Sequence, residues 1–340
     1  MCPILFGANL LALAKKCGGI RPIAVGSVFR RTAAKIACAS VVEALRPYLQ
    51  PHQMGFGTPG GAEAIHRASR LFLESSEGVF AKLDFENAFN TVYRRIFLEE
   101  ALDHVPSIYP LIQQSFAQPS HLLLGEFVIA SEEGLQQGDP LAPLLFCLAI
   151  QPIIGKLRSK LNAAYLDDES LGGGAATVAA DIAEVKSSSE SIGLILNPKK
   201  CALLVMNEPN VAAIDEICRL LPGLRILTPG DCELLGAPLT DEALPAALEK
   251  KTQQIKLLAA RLPLLASHAS IFILKNCLSI PKMVYLLRCI PSWKAPNEFA
   301  PFGYVMRDAL ESITNSAMDD EAWFQASLPV AKGGLGIRSA

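Results

Sequence analysis

Two aspartates stand side by side at Asp167-Asp168, after a short apolar approach, Ala164-Tyr165-Leu166, and ahead of a soft stretch, Leu171-Gly172-Gly173-Gly174. Adjacent carboxylates repel each other and lose solvation when a fold fixes them, so a fold that holds such a pair usually gives it a cation. Taken alone, the pair reads first as a solvated acidic turn. A third carboxylate, Asp84, closes the apolar run that begins at Gly78. A sheet fixes a side chain at the end of a core strand and leaves it reachable, a common position for a site residue. The competing role for Asp84 is a helix N-cap. If Asp84 and the pair come from neighbouring strands, three carboxylates converge. That is enough for two Mg2+ ions, or Mn2+ in their place, which keep waters and take further ligands from substrate phosphates. Two such ions activate an attacking 3′-hydroxyl and stabilise a leaving pyrophosphate. No G-x-x-x-x-G-K-[ST] pattern and no His–Glu zinc motif occurs, which leaves phosphodiester chemistry on nucleotides as the natural reading.

The elements that must position these groups follow from apolar spacing and chain breakers. Residues 10–16 read as a helix end or a strand edge, and residues 20–25 as a short strand after Gly18-Gly19. A helix over 30–45 carries Ala33, Ala34, Ala37, Val41 and Leu45 as an apolar stripe, with Pro47 and Pro51 to end it. A flexible loop over 55–61 precedes a helix over 62–74. The strand ending at Asp84 is followed by helices over 87–101 and 106–118, then by a hairpin around Gly125-Glu126. Residues 134–140 form a polar, glycine-bounded loop that opens an apolar helix over 141–157. Such a loop brings backbone close to a base or sugar, and the helix start favours an anion. The strand carrying Asp167-Asp168 is expected to turn back through the glycines at 172–174. A helix over 177–192 and a strand over 202–206 then complete a split βαβ sheet. Beyond it come a strand and turn over 232–238 and helices over 244–265 and 268–287.

Hydrophobic residues make up 51% of the 340 and charged residues 19%, enough for a sizeable core and against global disorder. The nine cysteines (2, 17, 38, 147, 201, 218, 232, 277 and 289) contain no Cys-x-x-Cys pair and no matched histidine spacing. A zinc knuckle and a disulfide framework are therefore not expected, and an intracellular setting, nuclear or cytoplasmic rather than secreted, fits. The apolar start, Met1 to Leu13, lacks the basic n-region of a signal peptide. No membrane span is expected, because residues 141–150 are too few and residues 271–290 contain Lys275, Asn276, Lys282 and Arg288. The net charge is only −2, yet no acid occurs from Met1 to Val42 or from Lys250 to Lys294, both rich in Lys and Arg. Two basic flanks around an acidic middle suit a polyanion gripped beside a metal site, with ordinary solvated faces as the alternative.

Four segments in order carry a specific resemblance. Lys82-Leu83-Asp84-Phe85-Glu86-Asn87-Ala88-Phe89, Gln137-Gly138-Asp139-Pro140-Leu141, Tyr165-Leu166-Asp167-Asp168 and Gly193 to Cys201 resemble motifs A, B, C and D of reverse transcriptases. They look most like those of non-long-terminal-repeat retrotransposons. Arg21-Pro22-Ile23 resembles the family's fingers motif and Leu234-Leu235-Gly236 its primer-grip region, so that the resemblance covers roughly residues 10–290. It implies that Asp84 and Asp167 are the principal metal ligands and that Asp168 completes the site. Phe89 falls where the family places an aromatic gate. A flat ring under the sugar leaves no room for a 2′-hydroxyl and cannot accept its hydrogen bond, which implies deoxynucleotides rather than ribonucleotides. Gln137 and Gly138 would line the nucleotide and template pocket, and Arg21 and Lys16 would clamp the triphosphate, Arg21 by its planar fork. Lys200 is the motif D lysine, a proton donor to pyrophosphate, and Tyr165, Leu235 and Gly236 would meet primer and template. Core packing is the competing role for Phe89 and Tyr165, and a plain surface position for Lys200.

The expected fold is therefore an α+β right-hand polymerase. Residues 1–78 would form partial fingers, 79–238 a palm with an antiparallel sheet and the primer-grip region, and 239–340 a helical thumb and C-terminal segment. The expected activity is RNA-directed DNA polymerisation, with an RNA template, a DNA primer and dNTPs as partners and no membrane. Few residues precede the Arg-Pro-Ile segment, which motivates an alternative: a truncated, catalytically inactive remnant that binds nucleic acid.

Overall fold

The computed structural model describes residues 5–14, 18–75, 77–207 and 210–338. By its contacts the chain divides into two units, Met1–Leu227 and Thr228–Ala340. Residues 1–78 thus share one unit with the palm segment, while the turn region over 232–238 groups with the helical unit.

In the first unit, β1 (Ala8–Ala14) and β2 (Ile20–Gly26) lead into α1 (Val28–Leu49) and α2 (Gly61–Ser75). Then come β3 (Gly78–Leu83), α3 (Ala88–Thr91), α4 (Arg94–His104), α5 (Tyr109–Phe116), and the hairpin β4 (Ser120–Leu124) and β5 (Phe127–Ser131). The unit closes with α6 (Ala142–Ile154), β6 (Leu161–Tyr165), β7 (Asp168–Gly173), α7 (Ala175–Ser191), β8 (Ala202–Met206), α8 (Val211–Leu220) and β9 (Arg225–Leu227). The central sheet runs β6-β7-β3-β8-β9, antiparallel except for the β8–β9 pair. A second sheet runs β2-β1-β4-β5.

Strand alternation divides the side chains of the central sheet between two faces, and Phe80 is buried as fully as its neighbours Val79 and Ala81. Val79, Ala81 and Leu83 of β3, Leu171 of β7 and Leu203 of β8 join one core with α6 and α7. Every residue of α6 is buried except its two prolines, Pro143 and Pro152, because a helix apolar all round must sit inside. Each fully buried leucine of this core contributes about 1.5–3 kcal/mol.

Two expectations are corrected here. The β6–β7 turn is not at the glycines but at Leu166-Asp167, since Tyr165 pairs with Asp168. Gly172 and Gly173 lie inside β7, paired with Phe80 and Val79 of β3. Gly172 is there for space: a Cβ on it would come within 2.6 Å of the Phe72 ring of α2. The helix expected over 87–101 is broken between α3 and α4, where Val92 turns extended and the Tyr93 N–H donates to the Ile192 carbonyl at 2.9 Å.

The second unit is helical: a short hairpin, β10 (Glu233–Leu234) and β11 (Ala237–Pro238), precedes α9 (Leu244–Ala259), α10 (Ser267–Ile273), α11 (Ile280–Cys289), α12 (Pro296–Thr314) and α13 (Asp320–Ser327). The helix expected over 268–287 is interrupted by a π turn at Leu274–Leu278, before Pro281. The run Ser267–Cys289 is long and apolar enough to cross a bilayer by length and composition. Here it supplies Leu274, Leu278, Met283, Leu286 and Cys289 to the core of this unit. Of these helices, α12 and α13 were not anticipated.

Candidate active site

Asp84 follows the last residue of β3, and the register Leu83 opposite Glu169 puts it across from Asp168 one step on. The N-cap alternative for Asp84 does not hold, because α3 begins at Ala88 with Asn87 at the cap. The backbone of Asp84 is tied to motif D: its carbonyl accepts from Asn197 N–H at 2.8 Å, and Glu86 N–H donates to the Ile195 carbonyl at 2.8 Å. Lys200 Nζ donates to Asp84 Oδ1 at 3.0 Å. Burial and the charge of Asp84 raise the Asp167 carboxyl above its ordinary range, against Lys200 and Arg21. Asp168 reaches solvent, yet the surrounding protein desolvates its carboxyl enough that, with Asp167 and Asp84 beside it, it is pushed up to about 6. The Asp167 and Asp168 carboxyls, both raised in part by neighbouring carboxylate charge, mark a site short of positive charge.

The motif B loop is anchored beside it. Gln136 and Asp139 are buried, while Gln137 is half-buried and Gly138 exposed between them. Arg30 of α1 pairs with Asp139, both side chains only 3% exposed, and reaches Gln136 Oε1 at 3.5 Å. Burial raises the Asp139 carboxyl and the Arg30 guanidinium opposes it. Gln136 Nε2 donates to Ser120 Oγ at 3.0 Å, and Asp139 Oδ1 accepts from Leu141 N–H at 2.9 Å. Ala24 N–H of β2 donates to the Gln137 carbonyl at 2.7 Å, and a Cβ at Gly138 would come within 2.6 Å of the Ala24 carbonyl. A cavity of about 430 Å3 lies on this side, lined by Leu10, Pro22, Ala24, Asn90, Glu133 and Gln136 among others.

The remaining residues expected at the site are placed as follows. Phe89 of α3 is half-buried, its ring stacked on Phe146 at 4.8 Å and 16°. Tyr165 is half-buried and paired with Asp168. Arg21 is exposed on β2, with its charge felt at Asp167. Lys16 lies outside the described residues. Leu235 and Gly236 are the left-handed turn of the β10–β11 hairpin in the second unit, where Tyr285 Oη donates to the Leu235 carbonyl at 2.8 Å. Among the described residues no group of three His, Cys, Asp or Glu is drawn together as a metal cage. The donor chemistry of Asp84, Asp167 and Asp168 nonetheless fits a hard divalent cation: oxygen ligands only, with mutual repulsion that a cation relieves.

A family model described as reverse transcriptase (RNA-dependent DNA polymerase) matches residues 13–260. The chain belongs to the reverse transcriptase family. It is 25% identical over 352 aligned residues to the 132 kDa protein of the retrotransposable element SLACS of Trypanosoma brucei gambiense, covering 98% of this chain and 28% of that protein. The chain thus spans under a third of that relative's length. Among solved structures it is similar to telomerase from Candida albicans in complex with a fragment of telomeric RNA, at 10% identity and TM-score 0.47, over 93% of this chain and 60% of that one. Telomerase from Candida tropicalis with the same type of fragment gives 11% identity and TM-score 0.45, over 98% and 59%.

Within this reverse transcriptase fold, sequence reasoning missed the residues that hold the motifs. Gln53, between Pro51 and the loop over 55–61, drew no expectation, yet it is fully buried against the Leu166 turn. Arg30 had a legible signal: the buried stripe Ala34, Cys38, Val41, Leu45 and Leu49 extends back four residues onto it. Arg94 was also missed; its guanidinium donates to the carbonyls of Gly134 at 3.2 Å and Ser131 at 2.9 Å.

Proposed function

We propose that the chain extends a DNA primer on an RNA template, joining the primer 3′-hydroxyl oxygen to the α-phosphorus of a dNTP with release of pyrophosphate. One observation carries this reading: Asp84 and the Asp167-Asp168 turn meet at one end of the central sheet, close enough to raise the carboxyls of the pair. Asp84, Asp167 and Asp168 would hold two Mg2+ ions, or Mn2+. When bound, such ions neutralise charge on the transferring phosphate and favour the deprotonated hydroxyl. The chain's own residues bind and orient. Arg21, with Lys16, meets the triphosphate; Gln137 and Gly138 offer one amide and an open backbone to the nucleotide and template; Phe89 closes the space below the sugar. Lys200 carries a proton within reach of the carboxylates and releases it toward the leaving pyrophosphate. Tyr165, Leu235 and Gly236 meet the primer. The family and the retrotransposable relative support RNA as template, and the reading carries an intracellular location, nuclear or cytoplasmic.

A second reading, a remnant that grips nucleic acid without turnover, is favoured by the Lys200 contact, which occupies the Asp84 oxygen a cation would use. Primer extension on an RNA template with Mg2+ and dNTPs, run beside Asp167→Ala, decides. Extension by the parent chain, with a loss of at least ~10^3-fold in the variant, is expected. Template–primer binding with no extension by either protein would establish the remnant.

A further inference from the structure

The turn that presents Asp167 and Asp168 is built from a residue poorly suited to it. Leu166 has φ +58°, whereas Asp167 is not in the left-handed region. A two-residue hairpin turn with a positive φ at its first position normally takes glycine there, and a leucine costs about 1–2 kcal/mol. Such a conformation persists only where its surroundings over-determine it.

Gln53 supplies that surrounding. Residues 52–54 run beside the free edge of β6: Ala164 N–H donates to the His52 carbonyl at 2.7 Å, and Met54 N–H to the Ala164 carbonyl at 2.9 Å. The strand pairing ends there, but the Gln53 side chain continues it. Its Oε1 accepts from Leu166 N–H at 2.9 Å, and its Nε2 donates to the Leu166 carbonyl at 3.1 Å. A side-chain amide thus takes the place of the next peptide unit, bonding both polar groups of one residue. The same Oε1 accepts from Gly55 N–H at 2.9 Å, which fixes the amide plane. Gly55 must be glycine, since a Cβ there would overlap the Leu166 backbone nitrogen. Gln53 has no exposed surface, so its amide exchanges neither bond for water.

We infer that Gln53 is a positioning residue that fixes the Asp167-Asp168 turn in the geometry needed to bind divalent cations. The inference rests on the polymerase reading above for its catalytic consequence, but not for its structural one. A neutral amide suits the task because it adds no charge to a cluster of three carboxylates.

The test compares Gln53→Leu and Gln53→Met with the parent chain, each alone and combined with Leu166→Gly. Residue-resolved amide exchange should rise ~10-fold or more at Leu166 and Gly55, with protection in β3 and β8 retained. Mn2+ binding without nucleic acid, followed by the paramagnetic resonance of the free ion, should weaken about ten-fold. In primer extension kcat should fall ~10^2-fold, with KM for the dNTP within about three-fold. Leu166→Gly should narrow each gap, because glycine takes the turn unaided. Unchanged protection at Leu166, or variants that lose melting temperature while keeping Mn2+ affinity and kcat, would overturn the inference. Gln53→Met, close in length, decides if Gln53→Leu does not fold. A parent chain that extends no primer would sink the polymerase reading alone; exchange and Mn2+ binding would still judge Gln53.

Discussion

The two loops that carry the motif B and motif C residues are held by opposite chemistry. The Leu166-Asp167 turn rests on the neutral amide of Gln53, whereas the Gly134-to-Asp139 loop rests on the buried pair of Arg30 and Asp139. At the turn the loop's own charges are in excess, and a cationic support there would be drawn onto the carboxylates, as Lys200 is drawn onto Asp84. In the motif B loop a single carboxylate has lost its water. The Arg30 guanidinium, whose Nη1 also donates to Gln136 and to the Phe6 carbonyl, offsets that loss together with the Leu141 N–H. The charge of a support is set by the charge of what it supports. The difference also separates two tasks: one loop presents groups that need an external cation, and the other presents an uncharged surface already complete.

The sharpest way to break this comparison is to remove half of the ion pair. Arg30→Ala or Asp139→Ala leaves one buried charge uncompensated, and each should cost about 3–5 kcal/mol in denaturant unfolding. The double variant Arg30→Met with Asp139→Leu should unfold within about 1 kcal/mol of the parent chain. A double-variant cost equal to the sum of the two single costs would mean that the pair is not coupled. A smaller effect probes selectivity. Phe89 joins the motif B loop through its carbonyl, which accepts from Leu135 N–H, and its ring stacks on Phe146 of α6. Phe89→Ala should lower discrimination against ribonucleotides by ~10-fold or more, read from incorporation of competing dNTP and NTP. Unchanged discrimination would mean that the ring packs the core and gates nothing.

Much of this arrangement was legible in the sequence, and the exceptions share a cause. Alternation and apolar runs announced β3, β8 and α6, because burial on one face or all round leaves its period in the chain. The order of the four motif segments located the carboxylates. What could not be read were contacts made at a distance by single residues. Gly172 looked like a turn and is a space left for Phe72, so the hairpin was expected some residues too late. Gln53 sat among prolines and glycines and gave no periodic signal, although its hydrogen bonds define the turn. In α12, Phe299, Phe302, Met306, Leu310 and Ile313 do carry helical spacing, but Pro296, which stands at its start, and Pro301, inside it, read as breakers.

The smallest effect is set by pH, and it separates the two loops cleanly. The Asp168 carboxyl is pushed up to about 6 from an ordinary 3.8 by desolvation and by Asp167 and Asp84. Between these values the folded chain binds a proton that the unfolded chain releases. The group therefore favours the fold fully below about 3.8, and that contribution is lost as pH rises through about 6. Cation binding runs the other way, since only the ionised carboxylate is a ligand. Without divalent ions, melting temperature should fall on going from pH 5 to pH 7. Over the same range Mn2+ affinity should rise about ten-fold. Asp168→Asn should flatten the step in both curves, because the titrating group is gone. Asp139→Asn should leave the step in Mn2+ binding where it is, since that carboxylate faces Arg30 and not the cluster. A step that survives in Asp168→Asn would assign the proton to Asp167 instead, and the turn would then be charged differently from what its geometry implies.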